Sequence, residues 1–143
     1  KSKSNVPVDI QAWAIMALKS DRGKYLRGLQ YAESHHEIRG GYDFNQVDGD
    51  RDGIWYEGTA QIADAFKQTG KIEKWKELIQ LLRSAQFTSG AIPATDVESI
   101  ATGFKLPDSE NDWLYFRYPH VGATAWFILA ESGVNPFWFE HAY

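Results

Sequence analysis

Two carboxylates hold equivalent places in this chain. Asp9 stands three residues before Ala12 and Glu57 three before Ala60, and each Ala opens a similar apolar segment, 12–17 and 60–65. Aligned without gaps, the segments put both acids in the first turn of neighbouring helices, facing one region. Helix N-termini favour carboxylates through the dipole and the free N–H groups of the first turn. Paired carboxylates are also what glycoside hydrolysis needs, one as acid and one as base or nucleophile. A third copy of the segment, 125–130, has Gly122 at the equivalent position, and His120 two residues earlier reaches the same mouth. Asp9, Glu57 and His120 are therefore the candidate catalytic residues.

Aromatic residues crowd the stretches that lead into these helices: Tyr42, Phe44, Trp55, Tyr56, Trp113, Tyr115, Phe116 and Tyr118. Connecting segments are ordinarily polar, so such aromatics serve as lids on the core or as platforms for the apolar faces of sugar rings. Trp55, Tyr56 and Trp113 are the candidates for holding a sugar, with Asp112 beside Trp113 for hydroxyls. In a lyase version, Tyr118 or His120 takes a proton beside a substrate carboxylate that Arg117 neutralises.

A further motif, Asp48-Gly49-Asp50-Arg51-Asp52-Gly53-Ile54, reads D-x-D-x-D-G. Alternate carboxylates on a turning loop converge on a hard cation, and glycine at the sixth position permits the turn. The candidate calcium ligands are Asp48, Asp50, Asp52, the Ile54 carbonyl and Glu57, the tenth position. The twelfth position of an EF-hand would be Thr59, which is no acid, so the loop is close to that type without matching it. Glu57 cannot serve both a metal and the cavity, and the cavity is the preferred assignment.

The elements that must position these residues follow from periodicity. Residues 8–19, 56–69 and 118–132 are apolar on nearly every face and read as buried helices. Residues 24–38 and 71–86 are amphipathic, the second with Ile72, Trp75, Leu78, Ile79 and Leu82 on one face. Gly40-Gly41, Gly70 and Gly133 mark helix ends. Residues 39–54 and 87–117 read as long irregular connections, and no strand alternation stands out. Both connections run into a buried helix, which puts the elaborate loops on one face, where function concentrates. The expected fold is all-α, a single 1–143 domain of stacked helical hairpins. It supplies nearly three hairpins, so it reads as an open half-ring completed by missing sequence or a second copy, or else as a compact bundle.

Composition narrows the classes. Net charge is −4, no run of Lys and Arg exceeds a few residues, and a nucleic-acid partner is not expected. No apolar run reaches membrane-spanning length. Nothing resembling a signal-peptide apolar region follows the first four residues. Cysteine is absent, which excludes disulfides and thiolate chemistry and leaves the compartment open.

Taken together, Trp55-Tyr56-Glu57-Gly58-Thr59-Ala60-Gln61 and Tyr118-Pro119-His120-Val121-Gly122-Ala123-Thr124-Ala125-Trp126 resemble the α/α-toroid proteins of bacteria, a group that includes six-hairpin glycosidase-like proteins and terpenoid-cyclase toroids. Asn135-Pro136-Phe137 is similar to the C-terminal end of such proteins, and the resemblance spans roughly residues 8–138. It implies an active-site cavity at the N-terminal ends of inner helices and carbohydrate as the substrate class. The expected function is therefore glycoside hydrolysis, with polysaccharide lysis second. A calcium-stabilised binding or scaffold domain is the non-catalytic rival. A terpenoid-cyclase-like activity ranks last, because Asp9, Gln11, Glu57, Gln61 and Thr124 make the expected cavity polar.

Overall fold

The computed structural model describes residues 5–18, 22–47 and 50–138. In chain order these form α1 (Asp9–Ala17), α2 (Arg22–Tyr25), α3 (Arg27–His35), β1 (Glu37–Ile38), β2 (Gly41–Tyr42), α4 (Tyr56–Gln68), α5 (Ile72–Ala85), β3 (Ser99–Lys105), β4 (Asp112–Phe116) and α6 (Val121–Ser132). The fold mixes α and β. This corrects the all-α expectation and, with it, the resemblance to an α/α toroid. The segment 87–117, read as an irregular connection, contains the antiparallel hairpin β3–β4, and the hairpin β1–β2 straddles the boundary between the expected 24–38 helix and the 39–54 connection.

The hairpins have local causes that helical periodicity does not register. In the first, Arg39 and Gly40 both take positive φ, 50° and 82°, between Ile38 and Gly41. Two left-handed residues in succession match the twist of a tight two-residue turn. Gly40-Gly41 is thus the turn and start of a strand, and the amphipathic helix expected over 24–38 ends earlier, with His35. Arg39 is held in its unfavourable conformation by two bonds to Asp96 Oδ2, 3.0 Å from Nε and 2.7 Å from Nη2. In the second hairpin, Ser99 pairs with Phe116, Ile100 with Tyr115 and Ala101 with Leu114. The register then slips before Lys105 meets Asp112. Ile100 and Thr102 are buried while their neighbours are not, a two-residue alternation too short to stand out in the sequence. The partner strand, Asp-Trp-Leu-Tyr-Phe, is rich in aromatics that suit a pleated, half-buried surface.

The centre of the molecule is α4. Ten of its residues are buried, from Tyr56 to Phe66, and it packs against α1, α5 and α6. Gly58, Ala60, Ala63 and Ala65 let those neighbours come close. At Gly58 a side chain would collide with Val8 and the ring of Trp55. α1 and α6 flank α4 and run parallel to it. Val8 sits beside Gly58 at one end of α1, and at the other the Met16 carbonyl accepts from Asn135 Nδ2, just beyond α6. At this same C-terminal end of α6, the Gly133 carbonyl accepts from Nε2 of Gln68, the last residue of α4. The three helices therefore present their N-termini on one face.

A single extended strip sets that face. The Trp55 N–H donates to the Tyr42 carbonyl and the Tyr56 N–H to the Ala94 carbonyl, while Ala94 N–H donates to Tyr118 O and His120 N–H to Ile92 O. Residues 92–95 thus lie between the entries to α4 and α6 and lock them in register. Among the described residues, no helix is long and apolar enough to cross a membrane.

Candidate functional site

Glu57 lies in the first turn of α4, one residue beyond the pinned Tyr56, and its side chain is largely covered. Its Oε2 is 3.5 Å from Nδ1 of His120 at the start of α6. That contact is not an ion pair. His120 caps α6, with Nδ1 accepting from the Ala123 N–H at 3.1 Å, so the ring proton sits on Nε2 and the imidazole is neutral. Burial acts in the same direction and lowers the His120 pKa. On the other side of Glu57, the Gln61 amide, fully buried one turn along α4, donates to Oε1 at 3.5 Å.

Asp9, in the first turn of α1, completes the cluster. Burial raises the pKa of both carboxyls, but the secondary influences differ. For Asp9, the backbone N–H groups of Asp9 and Ile10 favour the charged form. For Glu57, the charge of Asp9 adds to the upward push. Both carboxyls therefore favour their protonated forms more than exposed ones do, and the charge of Asp9 adds to that push on Glu57. Three buried polar atoms here, Asp9 Oδ1, Gln61 Oε1 and Trp55 Nε1, have no hydrogen-bonding partner in the protein. Unpaired buried polar atoms are costly in a folded chain, and a ligand or water would satisfy them.

Tyr115 forms the roof. Sequence reasoning named it only as one member of the aromatic group, yet it joins the aromatics to the acids. Its ring stands edge-on to His120 at 5.6 Å and lies against Trp55 at 5.6 Å, Phe44 at 5.9 Å and Trp113 at 6.4 Å. Burial raises its phenol pKa, and the charges of Glu57 and Asp9 raise it further, which places the ring in the field of both carboxyls. β4 sets Tyr115 opposite the buried Ile100, a pairing between separate segments that no signal within either one reveals. Gly122 is the other residue whose role emerges only here. A Cβ at 122 would overlap the Glu57 carboxyl, so the absence of an acid at this third repeat position makes room for the second.

The structure gathers Asp9, Glu57 and His120, with Trp113 reaching them through Tyr115. Trp113 is 46% exposed and offers a free face. Trp55 is 3% exposed and packs beneath Tyr115 as core. Tyr56 is buried, and Asp96, Arg117 and Arg39 rather than the cluster's acids act on its hydroxyl. Asp112 pairs with Lys105 at 2.8 Å at the turn end of the β3–β4 hairpin. Arg117 lies over the Phe87 ring, and Tyr118, 71% exposed, leans on Phe116. These last four do not join the cluster.

The acidic loop is organised by two acids outside the D-x-D-x-D-G motif. Asp43 is fully buried and accepts from the N–H groups of Asn45, Asp52 and Gly53, at 2.9, 3.0 and 3.1 Å. Asp96 Oδ1 accepts from the Ile54 N–H at 2.7 Å. Within the motif, Asp50 Oδ2 accepts from Asn45 Nδ2 and Asp52 Oδ2 from the Ala101 N–H. Asp48 lies outside the described residues, and Glu57 faces Asp9 and His120. Among the described residues, no three His, Cys, Asp or Glu side chains gather around a point that would hold a metal ion.

Comparison with known proteins places nothing beside this chain: no family model, no curated protein and no solved structure matches it.

Proposed function

We propose that Asp9 and Glu57 form an acid–base pair that hydrolyses a glycosidic bond in an uncharged carbohydrate. The observation that carries this reading is two largely covered carboxyls brought together at parallel helix N-termini, beside buried polar atoms that have no partner in the protein. Glycoside cleavage requires one carboxyl that holds its proton until the leaving oxygen takes it, and a second that is already charged. Glu57, pushed up by burial and by Asp9, is the acid. Asp9, assisted by N–H groups of its own helix, is the base or nucleophile. Gln61 orients the Glu57 carboxyl, and neutral His120 bounds it without drawing its proton off as an ion pair would. Tyr115 and the exposed face of Trp113 provide the surface on which a sugar ring would stack.

The electrostatics favour an uncharged substrate. Asp9 is the charge that acts on Glu57, and Arg117, the candidate for neutralising an acidic sugar, lies against Phe87 instead. That favours hydrolysis over lysis of an acidic polysaccharide.

The test is turnover of a panel of nitrophenyl glycosides and oligosaccharides by the native chain and by Glu57→Gln. Activity lost with sugar binding retained supports the assignment. Equal turnover by the variant overturns it, and binding without turnover by the native chain makes the cluster a lectin-like site.

A further inference from the structure

His120 belongs to two environments. One side of its ring meets Glu57 and Tyr115; the other lines a cavity of about 370 Å3 at the start of α6, walled by Ala91, Pro119, Val121, Ala125 and Ile128. The volume lies within the range of small-molecule pockets. Its wall is almost entirely apolar. Thr124 also lines it, but its hydroxyl is committed on both sides, donating to the His120 carbonyl at 2.8 Å and accepting from the Ile92 N–H at 3.0 Å. His120, the remaining polar side chain of the wall, has its Nδ1 held by the Ala123 N–H.

A second observation concerns α6 itself. The helix is apolar around most of its circumference, as buried helices are, yet Val121 is 86% and Ile128 57% exposed. With Ala125 they form a stripe at i, i+4 and i+7. The exposed apolar surface of α6 is thus concentrated at this cavity, beside the acid–base cluster.

We propose that this cavity is a subsite for the apolar aglycone of the substrate, so that the natural substrate is an alkyl or aryl glycoside rather than a free oligosaccharide. A sugar ring placed here would leave its hydroxyls without partners, whereas an alkyl or aryl group loses nothing on entering. His120, which touches Glu57 and also lines the cavity, sets the aglycone beside the acid–base pair. The cavity is defined by its own walls; only the sugar half of this inference rests on the hydrolase reading above.

The test is a titration followed by the backbone amide resonances of the full chain, with methyl and hexyl pyranosides matched in sugar. Five added methylenes in an apolar cavity should tighten binding at least about tenfold. The shifts should centre on Ala91, Val121, Ala125 and Ile128, the advantage should vanish in Ala125→Glu, and it should survive in Glu57→Gln. Equal affinity for the methyl and hexyl compounds overturns the subsite and leaves the hydrolase reading intact. Binding of hexanol as tight as that of the hexyl glycoside, with no turnover of any sugar, removes the sugar and overturns the glycoside assignment along with the hydrolase. Shifts at these residues on dilution without ligand make the face a contact between copies of the chain and overturn the proposal.

Discussion

Glu57 Oε2 lies 3.5 Å from Nδ1 of His120, whose lone pair already accepts the Ala123 N–H. The imidazole beside Glu57 is therefore neutral, and it does not hold the carboxylate in its charged form as an imidazolium partner would.

The first prediction concerns pH. Activity requires Asp9 charged and Glu57 protonated. It should rise as Asp9 loses its proton and fall as Glu57 loses its own, and because burial raises both pKa values, the bell is displaced upward from the ordinary carboxylate range. Glu57→Gln should cost about 10²- to 10⁴-fold in kcat and abolish the alkaline limb. A pH–rate profile of the two proteins checks this; a retained alkaline limb in the variant would assign the acid elsewhere.

Gly122→Ala should separate stability from activity. The added methyl meets the end of the Glu57 side chain, which can swing away, so the fold is spared, and alanine gains up to about 1 kcal/mol of helix propensity over glycine. The carboxyl, however, is displaced from its bond with Gln61 and its place by His120. Unchanged or raised Tm with a loss of about 10²-fold in kcat is expected, since misplacing a reacting group by about 1 Å costs that much. Full activity would mean that the position of Glu57 is not critical.

Asp64 on α4 is fully buried, with Oδ1 accepting from Gln68 Nε2 and Oδ2 without a partner, and burial pushes its pKa up to about 6. Its folded value lies above its unfolded one, so the folded chain binds the extra proton between about pH 4 and 6, and stability is lost as pH rises through that window. Asp64→Asn removes the loss. We expect a gain of about 2–3 kcal/mol at pH 8 and little change at pH 4. Urea melts at the two pH values measure the difference; equal effects at both would show that the charge is not the cause.

Asp43 draws three backbone N–H groups of the 43–53 loop onto one carboxyl. Asp43→Ala strands them in a buried setting, at a cost of about 2–4 kcal/mol. Because this loop leads to Trp55, whose N–H is pinned to Tyr42, the variant should also loosen the entry to α4. Faster proteolytic cleavage within 43–53, with a lowered melting temperature, is the expected result. Unchanged cleavage would show that the Asp96 bond to Ile54 suffices.

The helices were legible because their signals are local. The segments 56–69 and 71–86 read as helices from spacing and terminal glycines, and α4 and α5 fall within a residue of those limits. The third buried helix begins three residues later than its apolar pattern implies. Pro119 bridges to Pro93 and His120 donates to Ile92, so the strip at 92–95 holds these residues extended. The β-hairpins were not legible: β1 and β2 have two residues each, and β3 alternates over only four before Gly103. Their stability comes from partners distant in sequence, which periodicity within a segment cannot register.

By itself, the sequence determined where the apolar helices lie and that Asp9 and Glu57 occupy matching first turns, because helix periodicity and repeat spacing are properties of short stretches. Only the tertiary structure decided what surrounds those acids. Tyr115 reaches them because β4 pairs with β3, His120 is neutral because it caps α6, and Gly122 yields its space to the Glu57 carboxyl. Each of these depends on packing between segments far apart in the chain, where burial, rather than local propensity, sets both the geometry and the charge.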